Sequence, residues 1–158
     1  MSYEARLKEL GITLPEVPRP VAAYVPAVRT GNLVFTSGQI PMVEGTLRYK
    51  GKVGKDVSPE EAYQAARLCA LGALAAIRAQ VGSLDRIEQI VKVTVFVSSD
   101  PSFTGQPEVA NGASELFLQI FGDAGRHARS AVGCPVLPRD AAVEVEVLAR
   151  VADGAGPG

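Results

Sequence analysis

The chain has 158 residues, of which 47% are hydrophobic, 21% charged and 6% aromatic, and this composition is typical of one globular domain. Sixteen Lys and Arg residues against seventeen Asp and Glu residues give a formal net charge of -1, with the basic residues scattered along the chain. This balance argues against nucleic acid as a partner, because no basic cluster is available to neutralise a phosphate backbone. The charged N-terminal residues and the short apolar stretches favour neither a secretory signal nor a membrane span, so we expect a cytoplasmic protein.

The residue types that most often carry chemistry are few. Cys69 and Cys134 form no CxxC pair and have no histidine at ligand spacing, so the cysteines give no sign of a metal site. Cys69 falls in the apolar stripe of a predicted helix, where packing is its expected role, and no base supports Cys134 as a nucleophile. The single histidine, His127, is either structural or a general base, and no motif for phosphate binding or acyl transfer accompanies it.

The first third of the chain predicts a short helix and a hairpin. Residues 4–10 form the helix, which Gly11 ends, and the prolines that follow keep the next segment extended. Two strands then meet at residues 30–32, where glycine and asparagine supply the positive φ angles of a tight turn. The Gly- and Lys-rich segment 44–57 is expected to be an exposed loop.

A long helix follows. Residues 58–61 (SPEE) combine a serine N-cap, a proline in the first turn and the glutamate of a capping box. The helix is predicted to run to Val81, before Gly82, and its small apolar residues form one stripe that suits close packing on a sheet. The stripe consists of Ala62, Ala66, Cys69, Ala73, Ile77 and Val81.

The second half alternates strands with one more helix. The alternation of residues 87–97 predicts a strand with Val91, Val93, Val95 and Val97 on one face. The remaining predicted elements are a helix over 107–121, strands over 127–136 and 142–151, and a disordered tail over 152–158.

This order, ββαβαββ after the first helix, predicts an α+β fold with one mixed sheet and both long helices on one face. We expect residues 1–151 to form a single domain, with residues 1–20 as an N-terminal extension. The second sheet face still carries Val and Phe, and the mean hydropathy is +0.14, so either apolar surface is buried between subunits or the chain is simply rich in Ala and Val.

Charged residues on the last two strands allow two interpretations. Arg129 lies in an otherwise small and apolar strand, and Glu144 and Glu146 alternate with valines on the next. They could form a solvated face with cross-strand ion pairs. Alternatively, Arg129 could bind a carboxylate through two parallel hydrogen bonds while a glutamate positions or activates water.

Four segments together resemble the RidA/YjgF family. They are GNLVFTSGQIP (31–41), IVKVTVFV (90–97), NGAS (111–114), and the Ala-Arg-Ser, Leu-Pro and Val-Glu-Val-Glu pieces of residues 128–146. The resemblance runs from Tyr24 to Val151. The N-terminal extension, the longer 44–57 loop and GRHARSAVG (125–133) resemble the family's longer branch, described as endoribonuclease L-PSP/chorismate mutase-like.

The resemblance implies a chorismate-mutase-like fold assembled as a homotrimer, with a cleft at each subunit interface and no cofactor. It implies hydrolysis of enamine and imine intermediates, such as 2-aminoacrylate and 2-iminopropanoate, to 2-oxo acids and ammonia. Arg129 matches the family's carboxylate-binding arginine, and Glu144 matches the glutamate that orients water. Tyr24, Ser37 and Gly38 match residues beside the bound ligand.

The sequence departs from the family pattern in the pocket. Ala131 replaces a cysteine, Gly133 a polar or acidic residue, and Ser114 a tyrosine, while Cys134 is out of register with the family cysteine. Two alternatives to an imine deaminase therefore stay open: a non-catalytic trimer that binds small carboxylates, and an endoribonuclease. Chorismate mutase activity is not favoured, because the several cations that a dicarboxylate requires are missing.

Overall fold

The computed structural model describes residues 2–17 and 23–154. Within these residues, three α-helices and seven strands are joined by turns and loops, three of which contain a short 3-10 helix. Their bounds are α1 Tyr3–Glu9, β1 Ala27–Thr30, β2 Leu33–Thr36, β3 Met42–Val43, β4 Thr46–Leu47, α2 Pro59–Val81, β5 Ile87–Ser98, α3 Gln106–Phe121, β6 Ala128–Cys134 and β7 Val143–Val151.

Five strands form the main sheet in the order β1-β2-β7-β5-β6. The pairs are antiparallel except β5 with β6, which are parallel and place β6 at the sheet edge. Helices α2 and α3 pack against each other and cover one face of this sheet. The predicted α+β class and mixed sheet are confirmed, with β3 and β4 forming a small separate hairpin.

Helix α2 begins as predicted. Ser58 accepts a hydrogen bond from the N–H of Glu61, and the Glu61 side chain accepts from the N–H of Ser58, so both halves of the capping box are present. All six residues of the small apolar stripe are buried. Where α2 meets α3, Gly112 lies so close to the carbonyl group of Tyr63 that a side chain at this position would overlap it.

The alternation predicted for β5 fails at its start. The pairing of β5 with β7 shifts between Ile90 and Lys92, so an irregularity in the ladder reverses the faces there. Ile90 is fully buried, whereas Val91, predicted on the core face, is partly exposed. From Val93 onward the predicted face is correct.

Two further expectations need correction. The 44–57 segment is not simply an exposed loop, because it contains β4 and buries Leu47, Val53 and Val57. In the turn between β1 and β2 only Gly31 has a positive φ, of 59°, and Asn32 does not.

The N-terminal helix α1 is held against the rest of the fold by side chains in its first half. A carboxylate oxygen of Glu4 accepts from the N–H of Leu84 at 2.7 Å, and the other accepts from Arg78 at 3.1 Å. The ring of Tyr3 meets that of Phe121 edge-on at 4.7 Å, and Arg6 Nε donates to the carbonyl of Gln119 at 3.0 Å. Helix α1 therefore clasps the C-terminal end of α3.

The chain continues to form hydrogen bonds after β7. Within the tail predicted over 152–158, the carbonyls of residues 152 and 154 accept from Arg29, and that of residue 153 accepts from Arg86. Residues 155–158 lie outside the described residues, as do residues 18–22 of the N-terminal extension.

Candidate functional site

Arg129 lies on the edge strand β6 and points to the helix side of the sheet. Its register partner on β5 is the fully buried Val93, which fixes the face. Its Nη1 donates to Asn111 Oδ1 at 2.8 Å and to Ser114 Oγ at 3.1 Å. Because these two acceptors are three residues apart on α3, they lie on one face of the helix and hold the same nitrogen.

The rest of the guanidinium is free to bind a ligand. Among residues 2–17 and 23–154, no carboxylate forms an ion pair with Arg129, and Nε and Nη2 donate no hydrogen bond. Neither nitrogen is a fully buried group lacking a partner, so both keep some exposure to solvent. A cross-strand ion pair does form between Arg150 and Glu88, at 3.4 Å, but not at Arg129. The Nε and Nη2 edge presents the parallel donors that match a carboxylate.

His127 extends the same hydrogen-bonded group. Its Nε2 lies 2.8 Å from Ser114 Oγ, and its Nδ1 lies 2.6 Å from the carbonyl of Gly125. The ring also packs edge-on against Phe117, with centroids 5.8 Å apart. Burial lowers the pKa of His127, donation to Gly125 opposes this, and the charge of Arg129 lowers the pKa further.

Glu144 lies on the opposite face of the sheet. Val143 and Val145 on either side of it are fully buried against the helices, and Glu144 is the register partner of Phe96. A Cβ built on Gly38 would come within 2.5 Å of Glu144 Oε2, so the lack of a side chain at Gly38 is what admits the carboxylate. Burial raises the pKa of Glu144, and the neighbouring Glu146 raises it further.

Ser37 directly precedes Gly38 in the chain, and two hydrogen bonds tie it to the segment that follows Tyr24. The N–H of Ser37 donates to the carbonyl of Pro26 at 2.8 Å, and its Oγ donates to the carbonyl of Val25 at 2.5 Å. These bonds bring the segment that carries Tyr24 alongside Ser37, and the Tyr24 side chain is 57% exposed.

The five predicted site residues therefore form two half-sites. We use "anchored arginine" for Arg129 with Asn111, Ser114 and His127, and "acidic half-site" for Tyr24, Ser37, Gly38 and Glu144. The first lies at the β6 edge on the helix side, and the second lies around β2 and β7 on the open side, with β5 between them. One chain alone does not place Arg129 and Glu144 around a common ligand.

The departures from the family pattern lie beside the anchored arginine. Ala131 and Gly133 pair with Val95 and Val97, both fully buried, so both face the helix side as Arg129 does. A Cβ on Gly133 would lie 2.9 Å from Gln106 Nε2, and a larger residue there would have to displace this side chain.

The roles of Asn111 and His127 beside Arg129 were missed by sequence reasoning. The asparagine appears only as part of a motif, and the histidine has no partner near it in the sequence. Asn111 meets Arg129 across 18 positions, and Ser114 meets His127 across 13. The alternation of the strand predicted over 127–136 was the available signal, since it places His127 and Arg129 two residues apart; in the structure His127 directly precedes β6.

Neither cysteine takes part in the two half-sites. Cys69 is fully buried, its Sγ lies 3.5 Å from the carbonyl of Val143, and burial raises its thiol pKa well above the ordinary range. Cys134 is half-buried, and burial also raises its pKa. A groove of about 830 Å³ lies elsewhere, between residues 13–17, residues 42–45, Leu68 and Leu71, and contains none of the predicted site residues.

Two absences apply to the described part of the chain. Its helices include none that is both long and apolar enough to cross a membrane. Across residues 2–17 and 23–154, no three His, Cys, Asp or Glu side chains come together as a metal site.

The mixed sheet with two helices on one face defines an α+β protein of the chorismate-mutase-like architecture. The model of the family described as "YjgF/chorismate_mutase-like, putative endoribonuclease" matches residues 4–151, and the chain belongs to this family.

Similar proteins agree with this assignment. Protein TCP17 of Trypanosoma cruzi is 45% identical over 148 residues, which cover 93% of this chain and 92% of that protein. A 2-iminobutanoate/2-iminopropanoate deaminase of Dermatophagoides farinae is 32% identical over 138 residues, with 87% and 92% covered. The crystal structure of Atu1372, a protein with unknown function from Agrobacterium tumefaciens, shares 44% identity and a TM-score of 0.89, covering 95% of this chain and 92% of that one.

Proposed function

We propose that the protein hydrolyses 2-imino acids of the 2-iminopropanoate type to 2-oxo acids and ammonia, in clefts between the subunits of a homotrimer. Relatives at about 30% identity are named imine deaminases, which favours this chemistry. The same cleft without catalysis would make the protein a carboxylate-binding trimer, and the departures around Ala131 and Gly133 are the reason to test that alternative.

The observation that carries the proposal is the anchored arginine. Its Nη1 is held by two acceptors of α3, and its remaining edge is open and without an acidic partner among the described residues. A guanidinium fixed in this way has already lost much of its side-chain freedom, so it binds a carboxylate with little further ordering. Its fork geometry also selects a planar carboxylate over a single point anion.

A trimer brings the two half-sites together. The acidic half-site of one copy would meet the anchored arginine of the next, because within a chain the two are on opposite faces of the sheet. The open face also carries apolar side chains that association would bury, with Val28 54% and Phe35 45% exposed. Closed rotational symmetry would repeat the same cleft at each interface.

The reaction requires little beyond positioning. The carbon of a protonated imine is electrophilic, so a carboxylate held by Arg129 and a water placed over that carbon supply most of the catalysis. Glu144 faces the cleft from the acidic half-site, where its carboxylate orients the water. The backbone at Gly38 is the expected neighbour of the leaving nitrogen.

The direct test is to generate 2-iminopropanoate with an amino-acid oxidase and to follow its hydrolysis. Charge-assisted hydrogen bonds contribute about 1.5–3 kcal/mol each, so Arg129→Ala should lower kcat/KM by about a hundredfold or more. Arg129→Lys should recover only part of this, since an ammonium lacks the fork. Arg150→Ala is the matched control, because Arg150 is a surface arginine of β7 paired with Glu88. Cys69→Ser and Cys134→Ser should leave turnover largely intact.

The remaining outcomes separate the alternatives. Wild-type protein that binds pyruvate through Arg129 without accelerating hydrolysis would be a binding trimer. Indifference to Arg129→Ala in both assays would refute the site. RNA cleavage at physiological salt that depends on Arg129 would favour the endoribonuclease, although we expect at most weak, salt-sensitive RNA binding. Light scattering should give three times the 16.5 kDa chain mass.

A further inference from the structure

A continuous row of hydrogen bonds runs from the carbonyl of Gly125 to the carboxylate-binding arginine. The carbonyl lies 2.6 Å from His127 Nδ1, and His127 Nε2 lies 2.8 Å from Ser114 Oγ. Ser114 Oγ then lies 3.1 Å from Arg129 Nη1. A hydroxyl linked to an oriented imidazole therefore lies beside the group that holds the substrate carboxylate.

The partners fix the direction of every proton in this row. A carbonyl only accepts, so His127 Nδ1 must carry a hydrogen and donate it to Gly125. A guanidinium only donates, so Ser114 Oγ accepts from Arg129. In the neutral imidazole Nε2 is then an acceptor, and the hydroxyl hydrogen of Ser114 points to it. This arrangement, a hydroxyl on a base that a third group orients, is the one that activates a hydroxyl for proton transfer.

The charges near His127 are few. Arg129 on β6 is the charged side chain whose field reaches the ring. On the preceding turn Arg126 is paired with Asp123, and on β5 Lys92 reaches Ser130 on the opposite face of the sheet. On α3 the carboxylate of Glu115 is bonded to Tyr63. A substrate carboxylate on Arg129 would thus be the main new charge that the imidazole experiences.

We propose that Ser114 and His127 form the proton-transfer arm of the Arg129 site, with Ser114 Oγ touching the reacting water or nitrogen and His127 storing the proton. This inference rests on the proposed imine hydrolysis. It places an acid–base group on the same side of the sheet as the substrate carboxylate, where no carboxylate of the described residues forms an ion pair with Arg129.

The steps balance as follows. Water forms a C–O bond to the protonated imine carbon, the C=N pair moves to nitrogen, and the water proton passes to Ser114 as the Ser114 hydrogen passes to His127. The imidazolium returns a proton through Ser114 to the amine nitrogen. The hydroxyl then loses its hydrogen along the same route as the C–N bond breaks and the C=O bond forms. The last proton joins ammonia, so ammonium and the 2-oxo acid leave and neutral His127 is restored.

The test compares pH profiles of kcat/KM for 2-iminopropanoate hydrolysis. In the wild type, kcat/KM should fall as the pH drops through the titration of His127, because the imidazolium cannot accept the first proton. His127→Gln keeps a hydrogen-bonding side chain but does not titrate, so its kcat/KM should be about a hundredfold lower and should lack this limb. Ser114→Ala should show a similar loss, and Ser114→Thr, which keeps the hydroxyl, should recover much of it.

Two controls separate proton transfer from a merely structural role. Tyr63→Phe removes a hydrogen bond to the neighbouring Glu115 and should leave both kcat/KM and its pH profile unchanged. Pyruvate affinity of His127→Gln and Ser114→Ala should stay within about threefold of wild type, since Asn111 still anchors Arg129. As the chain has one histidine, its NMR titration gives an unambiguous pKa to compare with the kinetic one.

The inference is overturned if His127→Gln retains the wild-type rate or pH limb, or if the NMR and kinetic pKa values differ by more than one unit. It is also overturned if pyruvate affinity falls as far as kcat/KM, which would make the two residues mere supports of Arg129. A wild-type protein that does not hydrolyse the imine refutes the proposed function first, whereas an active wild type with an indifferent His127 refutes only this inference.

Discussion

Two glycines inside the long helices should respond to the same substitution with opposite signs. At Gly112 of α3, a Cβ would lie 2.9 Å from the carbonyl carbon of Tyr63, closer still to its oxygen, and 3.2 Å from Ala66 Cβ. At Gly72 of α2, the nearest atom would be the side-chain oxygen of Gln39 at 3.1 Å. The first obstacle is backbone held within a helix, and the second is the end of a flexible side chain.

The magnitudes follow from two opposing terms. Alanine is about 1 kcal/mol better than glycine in a helix interior, and this gain applies at both positions. Overpacking a tight contact costs about 1–3 kcal/mol, and a fixed carbonyl favours the upper end. We therefore expect Gly112→Ala to lower the free energy of unfolding by about 1–2 kcal/mol, and Gly72→Ala to raise it by up to about 1 kcal/mol once Gln39 has moved.

Urea and thermal unfolding at one fixed protein concentration measure both changes, since an oligomer's stability depends on concentration. Each kcal/mol should shift Tm by roughly 2–4 °C in a chain of this size. Gly112 also lies between Asn111 and Ser114, so its substitution should weaken pyruvate binding as well. A Gly112→Ala variant as stable as wild type would refute the close approach of α2 and α3.

Three other predictions follow from burial and charge. Burial raises the pKa of both thiols, so a disulfide reagent at pH 8 should modify Cys134 slowly and Cys69 only after unfolding; two fast-reacting thiols would contradict this. Burial raises the pKa of Glu144 in the folded protein above its value of about 4.5 in the unfolded chain. At a pH above the folded pKa, ionisation of Glu144 therefore lowers the free energy of unfolding. This loss of stability disappears as the pH falls below the unfolded pKa. Glu144→Gln should therefore raise the urea midpoint at pH 7 and raise it less at pH 4.5, and a lower midpoint at pH 7 would count against the burial of the charge. Glu4→Ala should cost about 1–2 kcal/mol in urea unfolding through its lost hydrogen bonds, whereas Glu9→Ala, which breaks an exposed pair with Arg6, should cost less than about 0.5 kcal/mol; equal effects would refute the docking of α1.

Local sequence patterns predict much of the fold. The capping box at Ser58, the apolar stripe of α2 and the alternation of β7 each depend on residues a few positions apart, and each is observed. The failures have non-local causes. The shift near Ile90 depends on how β5 pairs with β7, and the burial of Val53 and Val57 depends on a bridge to the end of β5.

The site was only partly accessible to the same reasoning. Arg129 stands out in the sequence because no acidic residue lies near it in the chain. In the described structure it likewise forms no ion pair. Its anchors do not stand out, because they are reached across the contact of α3 with the parallel edge strand. Arg129 and Glu144 lie on opposite faces of the sheet because of the register in which β6 and β7 each pair with β5. Predicting this separation requires the strand order, which local sequence patterns do not give.

The clasp of α1 on the far end of α3 has a consequence for ligand recognition. The Arg129 guanidinium is oriented by Asn111 and Ser114 on one turn of α3. Any rotation or shift of that helix therefore changes the orientation of its Nε and Nη2 edge. Tyr3 and Arg6 brace the helix at Phe121 and Gln119, more than one turn from the guanidinium. A chain that lacks α1 would keep every predicted site residue, but the orientation of the Arg129 guanidinium would be less well fixed. In such a chain, we expect the proposed binding of a carboxylate by Arg129 to be lost when α3 loosens, at a temperature well below that of global unfolding.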